Sequence, residues 1–320
     1  MCIAVFMWKS HPVYPLILLL NRDELYNRPT EPLGWWEDGG ILGGRDVQAG
    51  GTWLACTKHG KLAFLTNVRE IRSDSQVKSR GELPIRFLKV APSCLVIFSK
   101  FRFCGSLDLS ETNFSSGCDF RFFSFFRKDL LQVMMHESWV SLQGTKSPRE
   151  FAEELVGEAD QFHGFNLIVA DLRSMTMVYV TNRPKGGVHV TEVSSGIHVL
   201  SNAQLDTPWP KAVRLRHSFE DVVEKFFNSE ISLKDITEIL MKDTTKDDGN
   251  ELPGIYPPEL EYQLSAIFVE TDTAMGRYGT RSTSAFVLKT NREVSFYETY
   301  LENDEWKEQT TSFHIEEVES

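Results

Sequence analysis

Apolar residues along this 320-residue chain come in short runs rather than in long helical stripes. Cys2-Ile3-Ala4-Val5-Phe6 heads a strand expected over residues 2–8, and Leu16-Ile17-Leu18-Leu19-Leu20 fills one expected over 15–21. Two more strands are expected over 52–57 and 61–67, with glycines marking the turns between them. A later group is expected over 166–171, 175–181, 187–192 and 197–201, and a last group over 263–270, 281–288 and 293–300. Helices fall between these groups. Ser147-Pro148-Arg149-Glu150 is a capping box with proline at the first helical position. It opens a helix expected over 148–159, in which Phe151, Ala152, Leu155 and Val156 recur at helical spacing. Residues 210–227 and 232–242 make a second helical pair. Strands, then helices, then strands again suit helices packed on sheets, an α+β arrangement.

The polar residues that end the first two apolar runs carry the candidate chemistry. If 2–8 and 15–21 pair as a hairpin through Ser10-His11-Pro12, their far ends meet, and Cys2 becomes a neighbour of Arg22 and Asp23. Cys2 follows Met1 directly, and a small second residue makes the Met1–Cys2 bond a target for aminopeptidase. Removing Met1 would leave one residue with both a thiol and a free α-amine. A free thiol is mostly protonated near neutral pH. An α-amine titrates near ~7.7–8.0, well suited to a general base, so such a nucleophile brings its own base. A carboxylate nearby can hold or orient the amine. An arginine can lower a thiol pKa and fix a substrate carbonyl or carboxylate. The alternative reading of Asn21-Arg22-Asp23-Glu24 is a surface turn with an internal ion pair of little energetic weight.

Composition narrows the class. With 41% hydrophobic residues the chain can bury a sizeable core without disulfide staples. A formal charge of −11 argues against a nucleic-acid surface. Much of the acidic excess lies in residues 301–320, which read as a solvated or disordered appendage to a single domain over 1–300. Five cysteines without C-x-x-C spacing point to a reducing compartment. Eight scattered histidines offer no zinc spacing, so no metal and no cofactor is expected. The run before Asn21 is too short to span a bilayer, and Lys9, Ser10 and His11 break the order of a signal peptide. The expectation is a cytoplasmic protein with no transmembrane segment. Any Golgi or mitochondrial association would be by peripheral membrane contact or import.

Two stretches need separate weighing. Gly39-Gly40, Gly43-Gly44 and Gly50-Gly51 fall close together. Phosphate-loop spacing is absent, so tight turns flanking a short strand are the favoured reading. Residues 90–143 hold three of the five cysteines and the aromatic run Phe120-Arg121-Phe122-Phe123-Ser124-Phe125-Phe126, without clean periodicity apart from a short helical pattern over 128–135. So long a structureless insertion inside a compact domain is uncommon. Excising it keeps frame and joins Lys89 to Gly144 just before the capped helix. A retained intron is the favoured reading, and a partner-binding or membrane-touching loop the other.

Asn21-Arg22-Asp23-Glu24 resembles the motif that names the NRDE family, the transport and Golgi organisation type 2 proteins. Met1-Cys2-Ile3-Ala4, Gly43-Gly44-Arg45-Asp46, Ala49-Gly50-Gly51-Thr52-Trp53-Leu54-Ala55 and Phe64-Leu65-Thr66-Asn67-Val68-Arg69 are similar to its early blocks. Gly164-Phe165-Asn166-Leu167, Leu200-Ser201-Asn202-Ala203 and Tyr278-Gly279-Thr280-Arg281-Ser282 resemble its later ones. The resemblance covers 1–89 and 144–300. It implies an N-terminal-nucleophile hydrolase-like αββα four-layer sandwich, nearest to cysteine amidases and related acyltransferases. It also implies Cys2 as nucleophile, Arg22 and Asp23 beside it, Asn67 and Asn202 as oxyanion-stabilising or amine-orienting residues, and Arg281 as a late arginine that closes the site. The family association extends to secretory-pathway organisation, acyl-coenzyme A and lipid metabolism, and haem movement. The resemblance leaves two functions open: an amide or thioester hydrolase, or a non-catalytic carrier of an acyl, lipid or haem ligand.

Overall fold

The computed structural model describes residues 2–37, 39–71, 78–89, 146–226 and 230–316. The chain divides into two units, Met1–Leu88 with Lys146–Ser320, and Lys89–Thr145. Both sheets and their covering helices belong to the first unit. The suspected insertion at 90–143, with its helical pattern over 128–135, lies outside the described residues.

Two antiparallel sheets of seven strands form the centre. The first sheet contains β1 (Ile3–Trp8), β2 (Leu16–Leu25), β10 (Gly196–Leu200), β11 (Glu270–Thr273), β12 (Gly276–Leu288), β13 (Glu293–Glu302) and β14 (Glu305–His314). Its order is β10-β1-β2-β12-β13-β14, with β11 added on β12. The second runs in chain order through β3 (Thr30–Trp35), β4 (Leu42–Asp46), β5 (Leu54–Cys56), β6 (Lys61–Asn67), β7 (Phe165–Asp171), β8 (Thr176–Thr181) and β9 (His189–Glu192).

The apolar runs are continuous because these strands are covered on both faces. On β1 and β2, Ala4, Phe6, Leu18 and Leu20 pack with Leu54, Phe64 and Ile168 of the other sheet. The alternate residues Ile3, Val5, Ile17 and Leu19 pack under Leu215 and Phe219 of α3 (Pro210–Lys225) and Ile236 and Leu240 of α4 (Leu233–Met241). The second sheet turns Ala63, Leu65, Leu167 and Val180 toward α1 (Glu82–Leu88) and α2 (Pro148–Val156), meeting Phe87 and Phe151. Helix, sheet, sheet, helix is the αββα four-layer sandwich that the resemblance implies. The capping box forms as its residues require: Glu150 N–H donates to Ser147 Oγ at 3.2 Å, and Ser147 N–H to Glu150 Oε2 at 2.8 Å.

Three sequence expectations change. Residues 263–270 are not a strand: α5 (Pro258–Gln263) ends there and β11 starts at Glu270. The carbonyls of Leu264 and Ala266 instead accept from Lys211 Nζ, and that of Ile267 from Asn21 Nδ2. The acidic stretch 301–320 is no disordered appendage over its described part, because β14 pairs with β13 from Glu305 to His314. Its acids line an exposed edge, a common way to blunt one. The glycine block serves packing as well as turns. Gly50, at φ 69°, makes a turn. At Gly44, within β4, an added Cβ would meet the Trp53 ring at 2.3 Å.

Candidate active site

Strand register assembles the site. β1 and β2 pair with Ile3 opposite Asn21, so the next position along each strand holds Cys2 and Arg22. On the other side of β2, Asp23 faces Thr280 and Arg22 faces Ser282, and the register slips between them. Arg281 is the extra residue of that β-bulge, a device that re-aims a side chain.

Pleat alternation then sorts the Asn21-Arg22-Asp23-Glu24 motif. Arg22 enters the space between the sheets, where its guanidinium lies 4.2 Å from the centre of the Trp53 ring and donates to Thr30 Oγ1 at 3.1 Å. Asn21 points to the helical side. It donates to the carbonyls of Met241 at 2.8 Å and Ile267 at 3.0 Å, and accepts from Thr283 Oγ1 at 2.7 Å. Asn21 therefore clamps β2 to the end of α4. Asp23 Oδ1 accepts from Thr280 Oγ1 at 2.7 Å. Glu24 pairs with Arg28 at 3.7 Å, and Arg28 in turn grips Asp46 at 2.6 Å.

A cavity of about 520 Å³ opens at this end of the sandwich, and Cys2, Arg22, Asp23 and Asn67 all line it. Two expected site residues stand apart. Asn202 is buried behind the wall, where its Nδ2 donates to the Asn67 carbonyl at 2.7 Å and its own carbonyl accepts from Arg69 N–H at 2.7 Å. Arg281 lines a neighbouring cavity that shares Arg22 and Trp53 with the first. The bulge turns its guanidinium onto the carbonyls of Leu25 and Arg28 and onto Thr30 Oγ1. A third cavity, of about 680 Å³, adjoins the first through Asn67, Arg80, His163, Met275 and Tyr278.

A model of the Transport and Golgi organisation 2 family matches residues 1–122 and 134–303. The chain belongs to this family. It is 29% identical over 338 residues to the Mus musculus Transport and Golgi organization 2 homolog, covering 99% of this chain and 100% of that one. The Homo sapiens homolog is 28% identical at the same coverage. Among solved structures, it is similar to a mutant conjugated bile acid hydrolase from Clostridium perfringens, with a TM-score of 0.45, 10% identity, and coverage of 98% and 92% of the two chains. It is also similar to a Caenorhabditis elegans ortholog of N-acylethanolamine-hydrolyzing acid amidase, with a TM-score of 0.35, 13% identity, and coverage of 75% and 85%.

Burial governs the electrostatics of this Transport and Golgi organisation 2 site. It pushes the Cys2 thiol up, while the nearby Arg22 charge works the other way. Burial likewise raises the Asp23 carboxyl, against the hydrogen bond from Thr280 and the charge of Lys211. Lys211, 2% exposed, is pushed down to about 8 by burial and by Arg69. Among the described residues no group of three or more His, Cys, Asp or Glu side chains is placed to hold a metal ion, and no helix is long and apolar enough to cross a membrane.

Sequence reading missed several participants. Tyr278 lines the cavity and its hydroxyl donates to the Asp23 carbonyl at 3.3 Å. It lies in the same short block as Thr280 and Arg281, where only the arginine drew attention. Lys211 gave no signal, since a lysine at the start of a helix usually reads as solvated. Trp53 forms a wall of the cavity under the Arg22 guanidinium.

Proposed function

We propose that this chain is an acyl hydrolase of the N-terminal-nucleophile type, cleaving an amide or a thioester through Cys2. The observation that carries this reading is the convergence of Cys2, Arg22, Asp23 and Asn67 on one cavity. With Met1 removed, the Cys2 α-amine takes the thiol proton as sulfur attacks the acyl carbon. The same amine returns that proton to the leaving nitrogen or sulfur. Water then attacks the acyl-thioester intermediate, the amine acting as base, and releases the acid and the free thiol. Asp23 orients the amine. Arg22, fixed by its stack on Trp53, binds an anionic or carbonyl group of the substrate. Asn67 stabilises the oxyanion, a role that can supply several kcal/mol. Asn202 acts through Asn67, whose carbonyl it holds, and Arg281 acts from the adjoining cavity on a more distant anionic group.

The second reading is a non-catalytic carrier of an acyl-coenzyme A, a lipid or haem. It is favoured by the raised Cys2 thiol, since burial keeps it protonated. The N-terminal peptide mass of protein from its native cell separates the two. A free Cys2 α-amine, together with turnover of amide or thioester probes that Cys2→Ser abolishes, is the hydrolase outcome. Retained Met1 or acetylated Cys2 removes the base and leaves the carrier. The carrier reading has Cys2→Ala weaken ligand retention with no turnover to lose. Organelle association follows from neither reading and needs imaging of the tagged chain at native level.

A further inference from the structure

Lys211 stands in the first turn of α3, where a lysine is normally solvated, yet it is buried. Burying an ammonium is costly unless hydrogen bonds and an opposite charge answer it. One segment supplies the hydrogen bonds. Lys211 Nζ donates to the carbonyls of Leu264 at 2.9 Å and Ala266 at 3.5 Å. The same segment leads on to the Cys2 site. The Ile267 carbonyl is held by Asn21. Val269 N–H donates to Thr280 Oγ1 at 3.0 Å, and Thr280 N–H donates to the Val269 carbonyl at 2.8 Å. Thr280 Oγ1 donates in turn to Asp23 Oδ1 at 2.7 Å. Lys211 and Asp23 therefore stand at the two ends of one short, fully held segment.

The opposite charge is found among the buried carboxyls nearby. Glu261 is held by Arg69 and by the N–H groups of Ile255 and Tyr256. Asp247 accepts from the Lys211 backbone N–H at 3.1 Å, and its other oxygen takes Arg214. Each of these two carboxyls has an arginine. The third is Asp23, whose ionised form the Lys211 charge favours. The charged and titratable groups facing Lys211 are Arg69, Asp23, Asp247 and Cys2. Those facing Asp23 are Lys211 from α3, Cys2 ahead of β1, Tyr26 after β2 and Tyr278 from β12. Arg22, next in sequence, points to the other side, onto Trp53. Among these side chains, Lys211 is the cation set behind Asp23.

We infer that Lys211 is a positioning residue of the Cys2 site: its buried ammonium holds Asp23 as a carboxylate, the form that accepts N–H from the Cys2 α-amine. The role of the amine rests on the acyl-hydrolase reading; the coupling of Lys211 to Asp23 does not. A protonated Asp23 would lose the charge that orients the amine and would carry a donor of its own. Lys211 lies behind the cavity wall rather than on it, so it acts on rate through Asp23 and leaves substrate binding alone.

The test reads the Asp23 carboxyl directly, in Met1-free protein labelled with carboxyl-13C aspartate. Isotope-edited infrared spectra are taken against pH, and the band that Asp23→Asn removes is Asp23. Lys211→Gln keeps an amide donor for the Leu264 and Ala266 carbonyls and removes the charge. It is expected to raise the Asp23 midpoint by about one to three pH units. Should that variant fold poorly, the reciprocal measurement uses Asp23→Asn and lysine labelled at Cε. The lysine titrating at about 8 is Lys211, and loss of the carboxylate should lower its midpoint further. Unmoved midpoints in either measurement overturn the coupling. With an amide or thioester probe, Lys211→Gln should lower kcat by about tenfold or more and leave KM unchanged. A moved Asp23 midpoint with unchanged kcat overturns the positioning role. Moved midpoints in a protein that turns over no probe support the coupling and overturn the hydrolase reading.

Discussion

Cys2 shows how burial and chemistry compete at a single residue. It is 6% exposed, and desolvation raises its thiol against the pull of Arg22. A raised thiol is a poor nucleophile near neutral pH, because only the thiolate reacts. In protein that keeps Met1, iodoacetamide should therefore modify Cys2 more slowly than free cysteine near neutral pH, with a rate that climbs as pH rises toward the thiol pKa. Protein lacking Met1 should react faster at the same pH, since its own amine can take the proton. Cys56 is the internal reference, buried and with its thiol pushed far up by desolvation alone. Peptide mass spectrometry over a time course reads both sites, and equal Cys2 rates in the two proteoforms would disconnect the amine from the thiol. The motif divides its labour in the same local way. Asn21 is structural, Arg22 faces the inter-sheet space, Asp23 faces Thr280, and Glu24 belongs to the Arg28–Asp46 rim.

Elements differ in how much of their stability is local. The capping box at the start of α2 is entirely local, so Ser147→Ala should cost about 1 kcal/mol in urea unfolding, and a cost near zero would mean the helix start is held by packing alone. β14 is the opposite case. A two-residue turn, Asn303-Asp304 with both residues at positive φ, sets its register, but contacts far along the chain hold it: Lys242 Nζ lies 3.8 Å from the centre of the Trp306 ring, Phe313 packs edge-on against Trp35 at 5.5 Å, and Glu308 pairs with Lys234 at 2.8 Å. Ending the chain after Glu302 should lower the melting temperature and shift the protein toward aggregates on size-exclusion chromatography, because β13 becomes a long, uncovered edge. An unchanged melting temperature would restore the reading of this stretch as an appendage. The segment after α5 teaches the same lesson in reverse. Its apolar composition suggests a strand, but its carbonyls are claimed by side chains from α3 and β2.

At the scale of the whole molecule, a buried carboxyl ties the two sheets together. Glu298 on β13 is 1% exposed and its Oε2 accepts from Leu33 N–H at 2.6 Å. That N–H lies in the irregular stretch of β3 between Glu31 and Gly34, outside the ladder with β4. Burial pushes Glu298 up to about 7 from an ordinary 4.5. The folded chain then holds a proton that the unfolded chain releases between those values. The contribution is therefore full below about 4.5 and is lost as pH rises toward 7, by on the order of 3 kcal/mol. Glu298→Gln should make the pH dependence of urea unfolding shallower between about pH 4.5 and about pH 7; a slope equal to wild type would place the titration elsewhere.

Much of the frame was legible in the chain alone. Apolar runs at 2–6 and 16–20 marked strands buried on both faces, because alternation disappears when helices cover one side and a second sheet the other. Ser147 to Glu150 marked a helix start, because a capping box needs only its own four residues. The meeting of Cys2 with Arg22 and Asp23 followed from pairing two adjacent runs, a contact of short sequence separation. The rest depended on partners far along the chain. Arg281 left the Cys2 cavity because a bulge in β12 adds one residue to its pairing with β2, and no periodicity reveals a bulge. Asn202 became a support for Asn67 rather than a cavity wall because two distant segments cross there. Lys211 entered the network behind Asp23 only when α3 packed on β1 and β2. Periodicity and capping are properties of neighbouring residues, so the sequence determined them; a cavity is what separate elements leave between them, so only the tertiary structure could decide its walls.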